Sequence, residues 1–282
     1  MKSEGQIHSF THAAMNTEFE LSIAAKQASY AKQAATTTFR ELDRIEGLLS
    51  RYIEYSDISR INNLAGGAKT IIDPITFHCL EQAQQVKRDT GGAFDIAYAS
   101  RPSKPLQQLF ELGHADYTCR ALDGGLAIDL GGIGKGYALD CMRELLADWE
   151  LEHILLRASH STMLAAKPPP DGDGWEAGFG PSKDRHEFML ANAALSGSGI
   201  AVQGEHIADT RPVSNGRKRY RAWAMSDSGA RADALSTAFM NMQSKAIRSY
   251  LQTHPRDRAW IQNTPEDKII DFDTDPDFDL DL

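Results

Sequence analysis

The stretch LAIDLGGIGKGYALDCMRELLADW, from Leu126 to Trp149, reads as a strand, a glycine loop and a helix. LAIDL is apolar with an acid near its end, and GGIGKG places four glycines and one lysine in six residues. In the rest, Ala138, Cys141 or Met142, Leu145 and Trp149 recur at helical spacing. Glycines let backbone N–H groups turn toward one point, and a helix start adds about half a positive charge there. Two readings stand. The junction is a phosphate cradle with Asp129 at its lip, where a divalent cation or a hydroxyl is met, or it is a tight turn that needs glycine for steric reasons alone. Lys135 is followed by Gly136 rather than Ser or Thr, so this is no Walker A loop. The glycines run GxGxG, not the GxGxxG of dinucleotide sites.

Outward from this core, the remaining segments are short. MNTEFELSIAA, from Met15, alternates like a strand. Ser29 to Leu49 carries Phe39, Leu42, Ile45 and Leu49 on one helical stripe. SRYIEYSDISRINNLAGG reads as a structured loop. Asp73-Pro74 is the cap and first residue of another helix with Phe77, Leu80, Ala83 and Val86 on its stripe, and Gly91 closes it. HILLRAS, WEAGF, HEFMLA, AALSGSG, YRAWAM and AWIQN are strand-like, with KPPPDGDG as a loop among them. Arg231 to Met242 is a helix, and Ser244 caps the next. Short strands plus four or five helices predict α+β architecture, with largely antiparallel sheet flanked by helices.

At 282 residues with 41% hydrophobic content, the chain can bury a sizeable core. From Glu266 onward there are eight acids and one lysine, a net of −7, so only −2 of the total −9 falls on the body. A nearly neutral body argues against nucleic-acid binding. The alternating aspartates of the tail suit a solvated or disordered segment, without EF-hand spacing. The expected organisation is one domain over 1–265 and an acidic tail over 266–282. Three scattered cysteines (Cys79, Cys119, Cys141) lack zinc spacing and suggest free thiols in a reducing compartment. With no leader-like run and no membrane-length apolar segment, the expected location is cytoplasmic.

Asp233 and Thr237 lie four residues apart in ADALSTAF, which stacks a carboxylate and a hydroxyl on one helix face. Such an oxygen pair suits Mg²⁺. An acid near a helix start and a core threonine would give the same pattern. TGGAFD (Thr90 to Asp95) ends a helix and is expected to turn into a strand. Its Phe94 could pack on a ring and its Asp95 could accept a hydrogen bond, or Phe94 is simply buried at a helix end. GEHIAD sets His206 near Asp209, either as a general base or as a structural polar pair.

Taken together, these segments resemble the ApbE family, the FAD:protein FMN transferases. The matching stretches run in family order: MNT at Met15, LSRYIEYSDISRIN at Leu49, TGGAFD at Thr90, IDLGGIGKGYALD at Ile128, SGSG at Ser196, HIAD at His206 and ADALSTA at Ala232. The resemblance implies a T-fold-like architecture and a transferase that binds FAD as substrate with Mg²⁺ as cofactor. It would attach FMN to a Thr or Ser hydroxyl of a target protein and release AMP. By the same resemblance, Met15, Tyr52, Ala93, Phe94, Asp95, Asp129, Lys135 and Ile207 would line the FAD, between the Arg231–Met242 helix and the Gly131–Gly136 loop. Asp233, Thr237 and the backbone at Gly132 would hold Mg²⁺, and His206 would handle the acceptor's proton. Two other outcomes use the same site: an FAD pyrophosphatase with water as nucleophile, and a non-catalytic flavin-binding protein. The sequence departs from the family pattern at three places. The usual MGT is MNT, the expected GGD is Ala158-Ser159-His160, and DPxTG is DTRPV from Asp209.

Overall fold

Met15 and Asn16 stand at φ 50° and 57°, both left-handed. Two such residues make the hairpin turn whose twist matches that of the strands. They join β1 (Gln6–Ala14) to β2 (Thr17–Ala25), with Ala14 opposite Thr17. Asparagine at the second position tolerates this conformation better than most side chains, so MNT can make the turn without glycine.

The computed structural model describes residues 5–103, 108–199 and 219–273. His206, Ile207, the Asp209–Val213 departure and the acidic tail beyond Asp273 lie outside the described residues. The hairpin opens an antiparallel sheet of eight strands. β2 pairs with β6 (Ile154–Ala158), which pairs with β7 (Thr162–Ala165). In turn follow β10 (Ala193–Gly199), β11 (Arg221–Ser226), β12 (Arg258–Gln262) and β13 (Ile270–Asp271). A three-stranded sheet holds β3 (Lys69–Ile71), β5 (Thr118–Ala121) and β4 (Phe110–Gly113) in that order. β8 (Trp175–Phe179) and β9 (His186–Leu190) form a separate hairpin. The α+β expectation holds: antiparallel sheet flanked by helices.

The large sheet is covered on both faces, and its period of two sorts the side chains. Ala194, Leu156 and Leu164 join a core shared with α1 (Ala28–Leu49), α3 (Pro74–Asp89), α4 (Gly134–Asp148) and α5 (Gly229–Asn241). Leu195, Trp223, Leu155 and Ala165 face the other way, against Trp175, Phe179 and Leu190 of the β8–β9 hairpin. The predicted stripes of α1 and α3 are all buried, and Asp73 caps α3 by accepting the Ile75 N–H at 2.9 Å. Helix α4 buries Ala138, Met142 and Leu146, while Leu145 and Trp149 are only half-buried. α6 (Ser244–Thr253) follows α5, capped at Gln243 rather than Ser244. Cys79 and Cys119 are buried and Cys141 half-buried, all as free thiols. Among the described residues, no helix is long and apolar enough to cross a membrane.

Three local expectations are corrected. LAIDL is not a strand. Its alternation is real, since Leu126, Ile128 and Leu130 are buried, but side chains and a loop replace the ladder. Asn62 accepts the Ile128 N–H at 2.7 Å and donates to its carbonyl at 3.0 Å, Ser100 accepts from Ala127, and the Ile96 carbonyl accepts from Asp129. TGGAFD ends α3 as predicted, with Gly91 and Gly92 at φ 59° and 85°, but turns rather than a strand follow. The segment taken as a structured loop contains a short helix, α2 (Asp57–Asn62), capped by Ser56, which accepts the Ser59 N–H.

Ser159 stands in the β6–β7 turn, where the resemblance leads one to expect glycine, and sits at φ 55°. A left-handed residue with a Cβ costs about 1 kcal/mol. Ser159→Gly is therefore expected to raise stability by about 1 kcal/mol, read as a higher urea midpoint at unchanged slope. A lower midpoint would mean that the serine side chain holds the turn.

Candidate active site

Helix α5 starts against helix α4, and each helix supplies a carboxylate to the other. Asp140 of α4 accepts the N–H groups of Gly229 (2.8 Å) and Ala230 (2.9 Å) and the Ser228 hydroxyl (2.8 Å). It caps α5 from outside, where a helix start favours negative charge. Burial pushes the Asp140 carboxyl above its ordinary range, while these donors and Arg143 pull the other way. In return Asp233 of α5 accepts the Gly136 N–H at 3.1 Å. The exchange needs two glycines: a Cβ at Gly136 would lie 2.0 Å from the Gly229 carbonyl oxygen, and one at Gly229 would lie 2.4 Å from that of Gly136.

Asp233 is 3% exposed. Its Oδ1 accepts from Ser196 Oγ (3.1 Å) and Thr162 Oγ1 (3.4 Å), and its Oδ2 lies 3.8 Å from Lys135 Nζ. One turn on, Thr237 Oγ1 is 3.4 Å from the Asp233 carbonyl and 3.3 Å from Ser198 Oγ. Gly132 lies against this pair. A Cβ there would meet Thr237 Oγ1 at 3.0 Å and the Phe94 ring at 3.2 Å, so glycine lets the loop touch both. Gly132, Phe94, Lys135, Asp233 and Thr237 are thus one cluster.

The loop's amides are largely engaged within the protein. Gly131 donates to Asp129 Oδ1 at 2.9 Å, Ile133 and Gly134 donate to the Leu130 carbonyl, and Gly136 donates to Asp233. The steric need for glycine is decisive at Gly136 and tight at Gly132, whereas a Cβ at Gly134 would make only ordinary contact. Lys135 donates to the Gly131 carbonyl at 3.2 Å and faces Asp233. α4 and α5 touch at Gly136 and Gly229, so no ligand fits between the two helix starts. The open side lies over exposed Gly131, with half-buried Asp129, Asp95 and Ala93 around it.

The other predicted residues flank that side. Asp129 Oδ2 is 3.5 Å from Arg51, whose guanidinium donates to the Tyr52 hydroxyl at 2.7 Å and lies 4.8 Å from its ring centroid. Asp129 raises the Arg51 pKa against the opposing effect of burial. Tyr52 itself is 83% exposed. Asp95 pairs with Lys87 at 2.9 Å and accepts the Ala97 N–H, and the Ala93 carbonyl accepts from Asn241 of α5 at 3.2 Å. Met15 packs on the main core at the β1–β2 turn, and among the described residues no hydrogen bond or ion pair ties it to the cluster.

The donor set fits a small hard cation. It consists of one carboxylate, one hydroxyl and a backbone segment held against them by a missing Cβ. These are the oxygen types Mg²⁺ takes, with the rest of its octahedron left to water and ligand phosphate. Among the described residues no group of three or more His, Cys, Asp or Glu could hold a metal, so tighter all-side-chain sites find no support.

Sequence reasoning missed Asp140, Thr162 and Arg51. SGSG held a usable signal: Ser196 and Ser198, two apart on β10, point to one face, toward Asp233 and Thr237.

Residues 15–261 match the model of the ApbE family. The chain is 20% identical over 231 residues to the FAD:protein FMN transferase of Klebsiella pneumoniae (strain 342), covering 72% of this chain and 68% of that protein. To the FAD:protein FMN transferase of Salmonella typhimurium it is 22% identical over 218 residues, covering 68% of this chain and 62% of that protein. Its fold is similar to that of the flavinyl transferase ApbE of Pseudomonas stutzeri in its apo form, with a TM-score of 0.81, 16% identity and 96% of each chain covered. The ApbE protein of Thermotoga maritima gives a TM-score of 0.74 at 19% identity, with 91% of this chain and 94% of that one covered. Together with the family match over most of its length, the arrangement around Asp233 leads to one conclusion: the chain belongs to the ApbE family.

Proposed function

We propose that this chain is an Mg²⁺-dependent FAD:protein FMN transferase of the cytoplasm. The observation that carries the reading is the convergence of Asp233, Thr237 and Gly132 beside Lys135 and Asp129, in a chain of a family whose curated relatives bear that activity in their names. The acceptor is a Thr or Ser hydroxyl of a target protein. Its oxygen bonds to the FMN phosphorus while the bond from that phosphorus to the AMP phosphate oxygen breaks. AMP leaves, and the hydroxyl proton passes to a base, a role for which His206 is the candidate. Phosphoryl transfer of this kind rests on positioning and charge. Bound Mg²⁺ would neutralise charge on the pyrophosphate, held by Asp233, Thr237 and the Gly132 backbone. Lys135 adds a cation beside Asp233. Asp129 and Asp95, held by Arg51 and Lys87, offer fixed acceptors for ligand hydroxyl and N–H groups. Free thiols at all three cysteines suit a reducing compartment.

The test is to incubate the full chain with FAD, Mg²⁺ and a candidate acceptor protein. The expected result is AMP together with flavin fluorescence that stays on the denatured acceptor, both lost with EDTA. Free FMN and AMP without labelled protein would instead make it a pyrophosphatase. Bound flavin without AMP would make it a flavin-binding protein.

A further inference from the structure

On the far side of the large sheet from Asp233, between β6, β7, β10 and β11 and the β8–β9 hairpin, lies a cavity of about 980 Å³. Its apolar part includes Phe179, Phe188, Met189 and Trp223. The Phe179 and Trp223 rings lie 4.9 Å apart. Gly197 lets the indole lie flat on β10, since a Cβ there would come within 2.6 Å of it. Met189, at the rim, is 52% exposed.

The charged part is uneven. Arg157 faces Glu20 at 3.4 Å, and Arg185 pairs with Glu187 at 2.8 Å. Arg221 also lines the cavity, but no carboxylate meets it among the described residues. Its guanidinium rests 5.0 Å from the Tyr220 ring, and its Nε is buried without an acceptor among the described residues. A buried donor of that kind costs free energy until an acceptor arrives. The cavity is therefore a trough with an aromatic floor, in which Arg221 has no described carboxylate and Glu176 no described cation. The sheet stands between it and the site: Thr162 and Ser198 lie in its wall, and their hydroxyls bond Asp233 and Thr237 on the opposite face. Its end is the Ser159-His160-Ser161 turn.

We propose that this trough docks an extended, carboxylate-bearing segment of the acceptor protein, with Arg221 taking the carboxylate and the Met189–Trp223 floor an apolar side chain. The proposal rests on the transferase reading, and it assigns that reaction a place for its protein substrate apart from the FAD site. An extended chain spans about 3.3 Å per residue, so a few residues in the trough carry a neighbouring hydroxyl past the β6–β7 turn.

The probe is a fluorescein-labelled twelve-residue peptide of Gly, Asp, Thr and one Leu, compared with the same peptide bearing Asn for Asp. Binding to the full chain is read by anisotropy. The Asp peptide is expected to bind at least tenfold more tightly than the Asn peptide. Arg221→Gln should erase that preference, and Arg221→Glu should invert it toward a Lys peptide. Thermal melting and FAD affinity of Arg221→Gln should match wild type, which separates lost docking from lost folding. A photo-crosslinker at position 189 should capture the Asp peptide. Equal binding of the Asp and Asn peptides, or an unchanged preference in Arg221→Gln, overturns the proposal. The two readings fail separately. Docking that depends on Arg221 without any AMP release refutes the transferase and keeps the trough. Protein labelling whose KM for acceptor ignores Arg221→Gln refutes the trough and keeps the transferase.

Discussion

Replacing Asp233 by Asn is expected to cut FMN transfer by about 10³-fold, since a bound cation supplies several kcal/mol and each 1.36 kcal/mol is about a decade in rate. Asn is the better probe than Ala, because Asp233 is buried and accepts from Gly136, Ser196 and Thr162. Alanine would strand those donors, at ~1–3 kcal/mol for each group left unsatisfied, and so mix folding with catalysis. Asn keeps one acceptor oxygen and the side-chain shape but removes the charge. The loss should shrink as Mg²⁺ is raised, because a weakened site refills by mass action. Initial rates across a Mg²⁺ titration, with melting curves alongside, provide the check. Wild-type turnover at low Mg²⁺ would remove Asp233 from the metal assignment.

The second large effect is structural. Gly136→Ala should destabilise the chain by about 3 kcal/mol or more, the upper part of the range for overpacking a tight core. Its Cβ would stand 2.0 Å from the Gly229 carbonyl oxygen, which is backbone and cannot swing away. The helices must part, and Asp233 would lose the Gly136 N–H. For a protein of this size the melting temperature should fall by roughly 6–12 °C. Gly47→Ala is the matched control. Gly47 also lies in a helix, α1, but nothing lies within 4 Å of its added Cβ, so that variant should be neutral or gain about 0.5–1 kcal/mol. Equal melting temperatures for the two variants would show that the contact between α4 and α5 is looser than the structure has it.

Much of this was legible in the residues. α3 announced itself by Asp73-Pro74 and a four-residue apolar stripe, because capping and amphipathicity are local. AALSGSG matched β10 residue for residue. β1 was not foreseen: QIHSFTHAA is polar and half-exposed, and only its pairing with β2 makes it a strand. β3, β4, β5, β7 and β13 are four residues or fewer, too short for a periodicity to emerge. LAIDL misled in the opposite way. Its apolar alternation reports burial, and burial does not say whether a strand or an Asn62 side chain satisfies the backbone. At the site, Asp233 and Thr237 could be paired from their spacing because both lie on one helix. The groups that fix Asp233 come from β7, β10 and α4, and no local pattern links Thr162 or Asp140 to a residue that far along the chain.

The mutual capping of α4 and α5 also sets when the site can come into being. Gly136 and Asp233 are 97 residues apart, and Asp140 and Gly229 are 89 apart. Contacts of such separation form only after a long loop has closed, which makes them slow relative to helix formation. During synthesis, the glycine loop emerges long before its partner helix. Until α5 has left the ribosome, the Gly136 amide lacks its acceptor and Asp140 has no helix end to cap. A chain stalled before residue 229 would therefore carry the whole glycine motif without Asp233 against it, and would lack the carboxylate proposed to hold the metal. Metal capture should accordingly coincide with the last long-range docking step, so that a cation-dependent signal in refolding would report completion of the fold rather than its beginning.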